Sequence, residues 1–124
     1  MTREGGEIVE ILLTKEACLV LAVAYKIYES RRKEGVDRIR AAQFQFFGEL
    51  NCKETKDLSS GDMQDALSEL ASHGLMKVYC LDFKLTDKGI ALSEHQVKEK
   101  HKSVLLWIKF ILERAGKMIT LIAG

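Results

Sequence analysis

The sequence predicts a mostly α-helical chain interrupted by one small β-hairpin, and three stretches predict it. Lys15 to Arg32 run without glycine or proline, residues 59–74 set apolar side chains at helical spacing between a serine pair and a glycine, and residues 76–86 are rich in β-forming residues. With 124 residues, 47% hydrophobic and 30% charged, the composition is that of one folded domain with a modest core and not that of a disordered chain. Residues 1–124 are therefore read as one domain, with a core at 14–100 and a C-terminal helix at 103–122.

Ile8 to Leu13 is apolar but broken by Glu10, which suits either a strand or an extra helical turn. Thr14 is the expected N-cap of the first helix. Glu16 lies in its first turn and Arg31, Arg32 and Lys33 in its last, the charge order that a helix dipole favours. Leu21, Tyr25 and Tyr28 mark one apolar face, and Val20, Val23, Ala24 and Ile27 add a second, so neighbours are expected on more than one side. Gly35 ends the helix. Ile39 to Leu50 predicts a second helix with Ala42, Phe46, Phe47 and Leu50 inward, followed by a polar, partly basic connector, Asn51 to Leu58.

Ser59 or Ser60 can cap a third helix whose inward residues, Met63, Ala66, Leu67 and Leu70, follow the i, i+3, i+4, i+7 rule. Gly74 stops it, and Leu75 can pack back on its last turn. Met76 to Cys80 and Phe83 to Thr86 then form a tight hairpin around Leu81 and Asp82. Thr86 and Asp87 restart helix, which runs at least to Lys100. From Ser103 onward Leu105, Ile108, Leu112, Ala115, Ile119 and Ile122 recur at steps of three and four, a heptad-like seam widened by Trp107, Ile111 and Met118.

Several function classes are disfavoured. The formal net charge is +1, so any nucleic-acid footprint must be local rather than a property of the whole molecule. Cys18, Cys52 and Cys80 are far apart, and His73, His95 and His101 are scattered, so no metal or other cofactor is expected; the thiols read as buried or idle in a reducing cytoplasm. MTREGGEIVE lacks the apolar stretch of a signal peptide. Lys109, Glu113, Arg114 and Lys117 argue against a membrane span at Val104 to Ala123, since each charge near a bilayer centre costs about 2.5–3.5 kcal/mol. No catalytic constellation is present, so an enzyme is not expected; Glu94 and His95 read as a solvated helix surface.

LSELASHGLMKV followed by FKLTDKGIAL resembles the third helix, wing and following helix of winged helix-turn-helix transcription regulators, the MarR and PadR groups being nearest in pattern. Leu85, Thr86, Asp87, Lys88, Gly89 and Leu92 match an L-T-x-K-G-x-x-L junction, in which a threonine caps the helix and a glycine permits close packing. The resemblance implies a winged helix-turn-helix with an additional C-terminal helix, binding double-stranded DNA with its third helix in the major groove. It implies groove contacts from Ser60, Gln64 and Ser68, and phosphate contacts from Arg40, Lys53, Lys56, Lys77 and Lys84. The doubly apolar first helix and the C-terminal seam imply a homodimer, with Leu21 and Tyr25 packing against Leu105, Ile108, Leu112, Ala115 and Ile119 of a partner. Against DNA stand Asp62, Asp65 and Glu69, because Leu58 to Met76 contains three acids and no lysine or arginine. The alternative is a winged-helix module that binds protein through its acidic third helix and apolar terminal helix.

Overall fold

The computed structural model describes residues 9–45, 47–80 and 82–123. It is 60% helical, with two small antiparallel sheets. Its centre is α1 (Lys15–Lys33), in which every residue from Ala17 to Tyr25 is buried. The two apolar faces read from the sequence are thus both used, against the third and last helices and the first strand of the same chain. Thr14 caps α1 through its hydroxyl, which accepts from Ala17 N at 3.2 Å. At the other end Gly35, at φ 92°, lets Val36 N reach Arg31 O and Gly35 N reach Arg32 O, closing two otherwise orphaned carbonyls.

The expected second helix is broken. Only α2 (Arg38–Ala41) is α-helical; β2 (Gln43–Phe44) follows, then single 3-10 turns at Phe47–Leu50 and Lys53–Thr55. The cause lies outside the segment. Leu85 N takes Ala42 O, and the Arg31 guanidinium takes Gln43 O at 2.6 Å, so carbonyls that a continuing helix would use have partners elsewhere. Phe44 is fully buried, stacked on Phe83 with ring centres 5.2 Å apart and with the Arg31 guanidinium 4.8 Å from its ring centre. Ala42 and Leu50 do face inward as expected, while Phe46 lies outside the described residues.

From α3 (Ser60–Ser72) onward the boundaries follow the local signals. Ser59 and Asp62 form a reciprocal capping box, the four expected inward residues are buried, and Gly74, at φ 74°, turns the chain so that Leu75 N bonds Leu70 O. β3 (Met76–Val78) and β4 (Phe83–Leu85) form the hairpin, with Tyr79 N bonding Asp82 O beyond the ladder. Strand β2 adds to the outer edge of β4, giving the order β2-β4-β3. α4 (Asp87–His95) begins on Thr86, whose hydroxyl accepts from Gly89 N and donates to Gly74 O. A Cβ at Gly89 would collide with Leu75 O, the close approach for which the motif needs glycine. Helical structure continues as a π-turn at Gln96–His101, which Lys102 ends in the left-handed region at φ 71°.

The C-terminal helix is half the expected length. α5 (Val104–Glu113) buries Val104, Trp107, Ile108 and Ile111, so the inward stripe centres on residues that the seam treated as its margin; Leu105, Leu112 and Ala115 are exposed. Beyond Gly116 the chain is a strand, β5 (Met118–Ala123), antiparallel to β1 (Val9–Thr14). Alternation decides it: Ile119 and Leu121 face Leu13 and Ile11 across the ladder, and all four enter the core. The stretch that suited strand or helix near the N-terminus is therefore strand from Val9, with Ile8 outside the described residues. Steps of three and four at Ala115, Ile119 and Ile122 had masked a period of two.

Leu21, Tyr25, Ile108 and Ile119, expected between two copies, are instead buried within one chain. α5 packs on α1 of its own molecule, which supplies the neighbour that the doubly apolar helix required. Among the described residues no helix is long and apolar enough to cross a membrane.

Candidate functional site

The third helix presents Ser60, Gln64 and Ser68 to solvent, four residues apart and hence in one row. The neighbouring face carries Met63, Ala66, Leu67 and Leu70, all in the core, so α3 cannot roll without exposing them. Its acids are not equivalent. Asp62 accepts from Ser59 N in the capping box. Glu69 accepts from both Thr14 N and Thr14 Oγ1 at 2.7 Å, which ties α3 to the junction of β1 and α1. Asp65 alone is exposed with no hydrogen-bond or ion-pair partner among the described residues. Two of the three charges that would repel phosphate therefore already satisfy backbone donors. The sequence did not disclose this, because Glu69 finds its partner on a segment remote in the chain.

The cations expected around α3 separate into three groups. Lys77 and Lys84 stand directly opposite each other in the β3-β4 ladder, and Gln43 pairs with Lys84 on the other side, so the three form one row across the sheet. Neither lysine has an acidic partner within ion-pair distance among the described residues, and like charges in cross-strand register repel. Arg40 is turned to Asp37, the N-cap of α2, at 3.6 Å, and neighbouring Arg38 to Asp87 at 3.1 Å. Lys53 and Lys56 join the rim of a groove of about 440 Å³ between the second 3-10 turn and α5, floored by Leu105, Ile108 and Leu112. Their rim also carries Glu54, Asp57, Lys109 and Glu113, so its formal charge is balanced.

All three cysteines are free. Cys18 is fully buried, and burial, reinforced by the Glu69 carboxylate, pushes its thiol up to about 12, so it is an inert core group. Cys80 is exposed, and Cys52 is half-buried within reach of Thr55 Oγ1. Glu94, paired by the sequence with His95 as a surface feature, is exposed and meets Lys98 at 3.6 Å. Among the described residues no group of three or more metal-ligating side chains comes together.

No protein-family model, curated protein or solved structure matches the chain.

Proposed function

We propose that this is a winged-helix protein that binds double-stranded DNA through α3 and the sheet beside it. The observation that carries the reading is the pairing of two surfaces: a row of small polar side chains on a rigidly seated helix, and, on the ladder that follows it, Lys77 opposite Lys84. Two ammonium groups held in register cost stability unless an anion offsets them, and a phosphate backbone is such an anion. The strand order β2-β4-β3, with α3 between β2 and β3 in the chain, supports the winged-helix assignment. Gln64 is suited to the paired donor and acceptor of adenine, and Ser60 and Ser68 to phosphate or base edges. The short hairpin, with no arginine at its tip, limits the wing to phosphate contact.

The test is a salt titration of binding to mixed-sequence duplex DNA. Binding is expected at micromolar protein in low salt and should weaken steeply as salt rises. Replacing Lys77 and Lys84 together by alanine should weaken every duplex alike and flatten the salt slope, whereas Gln64→Ala should alter preference among duplexes. Absence of binding by micromolar protein at low salt overturns the proposal.

A second reading, a winged-helix module that binds protein, is favoured by the exposed Leu105, Leu106, Phe110 and Leu112 on α5. A homodimer formed through this outer face would cover Leu105 and Leu112, the two seam leucines that the fold leaves exposed. Sedimentation at increasing protein concentration tests it, and a monomer throughout removes the dimer.

A further inference from the structure

The sheet of β1 and β5 has only these two strands among the described residues, so each strand has an edge with no neighbour. Which backbone groups face those edges follows from one contact. Lys15 N donates to Lys117 O at 2.8 Å, so Lys15 and Lys117 are a hydrogen-bonded pair at the end of the ladder. Alternation along the register then turns the N–H and C=O of Leu13, Ile11, Ile119 and Leu121 into the ladder. The groups of Glu10, Leu12 and Thr14 on β1, and of Met118, Thr120 and Ile122 on β5, point outward. Two further bonds agree with this phase: Thr14 N donates to Glu69 Oε2, and Ile122 O accepts from Gln96 Nε2 at 3.0 Å.

The two edges differ in what they can still accept. On β1 the outward N–H of Thr14 is spent on Glu69, whose carboxylate fills the place a further strand would take, and Glu10 adds a charge to the same edge. On β5 the one committed group is a carbonyl, which has a second lone pair to offer, while the outward groups of Met118 and Thr120 and the N–H of Ile122 have no partner among the described residues. Natural sheet edges are ordinarily protected by charge, proline or a bulge. From Met118 to Ala123 there is no charged residue and no proline, and the register runs without a bulge. Met118 and Ile122 are exposed, and a groove of about 280 Å³ lies along Thr120 and Ile122, so no helix seals this edge.

We propose that the free edge of β5 pairs with β5 of a second copy, antiparallel about a two-fold axis at Thr120. The edge is complementary to itself. Rotation about that axis sets Thr120 against Thr120 and Met118 against Ile122, so each outward N–H meets a carbonyl, a threonine pair forms at the centre and apolar side chains flank it. Lys117, the nearest charge along the strand, falls opposite uncharged Ala123, and no like charges come into register within the strand. Two two-stranded sheets become one of four strands, ordered β1-β5-β5-β1, with the charged edge of β1 outermost on both sides.

The test is sedimentation of the full chain, without DNA, from about 2 to 400 μM, a range chosen for a small interface with a dissociation constant of about 1–100 μM. A monomer–dimer equilibrium within that range is expected. Thr120→Pro removes an N–H that points away from β1, so it should spare the fold and weaken the dimer at least about tenfold. Thr120→Lys, on the exposed face, places two ammonium groups opposite each other; it should weaken the dimer likewise, and added salt should restore part of the loss. Leu105→Ser with Leu112→Ser should leave this dimer unchanged. In a chain with Cys52 and Cys80 replaced by alanine, Thr120→Cys should cross-link two copies on oxidation, since residues in a hydrogen-bonded pair lie about 5.5 Å apart. Leu12→Cys, about 14 Å from its counterpart across three strand spacings, should not. The proposal is overturned by a monomer throughout, by a dimer that both Thr120 variants leave intact, by a dimer lost in the serine pair instead, or by equal cross-linking at positions 12 and 120. None of these outcomes bears on binding to DNA, and failure to bind DNA leaves the strand pairing standing.

Discussion

Two helices of this molecule show solvent opposite kinds of surface. α3 buries its apolar side chains and exposes Ser60, Gln64 and Ser68; α5 buries Trp107, Ile108 and Ile111 and still exposes Leu105, Leu106, Phe110 and Leu112. The first is amphipathic in the ordinary sense, its outer face suited to a polar partner or to water. The second is apolar on both sides, and only the inner side is explained by the fold. A helix that stabilises one chain needs one such stripe, so the outer leucines of α5 contribute little to folding, whereas each inward residue contributes much.

The largest test of that contrast lies within α5. Trp107→Ala should destabilise the protein by about 3–5 kcal/mol through loss of a fully buried ring, while Leu105→Ser with Leu112→Ser should change urea stability by only about 0.5 kcal/mol per site. A large loss from the serine pair would show that the outer face is structural after all. Gly89→Ala comes next. Its methyl would meet Leu75 O, forcing α4 away from the turn that ends α3, at a cost of about 1–3 kcal/mol or more in the same assay.

Glu69→Gln is expected to cost about 1–2 kcal/mol, since an amide replaces the carboxylate that accepts two hydrogen bonds from Thr14. If α3 owes its seating to its apolar face alone, that variant will melt like the parent. The mildest effect is on pH dependence. Cys18 and Tyr25 are each raised to about 12, both chiefly by burial. Unfolded, they ionise near 8.5 and 10, so above those values the unfolded chain sheds protons that the folded one keeps, and stability falls as pH rises. It should hold up to about pH 8 and then decline, and Cys18→Ala should remove the part of the decline that begins first.

Residues 59–92 were legible because their boundaries are local: Ser59 is answered by Asp62, Leu75 by Leu70 across the Gly74 turn, and Thr86 by Gly89, each within a few positions. Residues 39–50 and 114–123 misled because their state is decided by remote segments. Phe44 is a strand residue because β4 and Phe83 are there to receive it, and Ile119 and Leu121 are strand residues because Ile11 and Leu13 are opposite. Their own spacing is compatible with helix. For the candidate interface, the residues read as outward on α3 are exposed. Lys53 and Lys56 look adjacent to α3 along the chain and in space border α5.

The bond between Glu69 and Thr14 also sets an order of events during synthesis. Thr14 ends β1, and the strand that pairs with β1 among the described residues, β5, is made after all the other described elements. Residues 59–92 hold all their own caps and can assemble earlier, yet the clamp that orients α3 has a loose end until β5 arrives. The helix proposed to meet DNA is thus among the first parts able to form and among the last to be held in place.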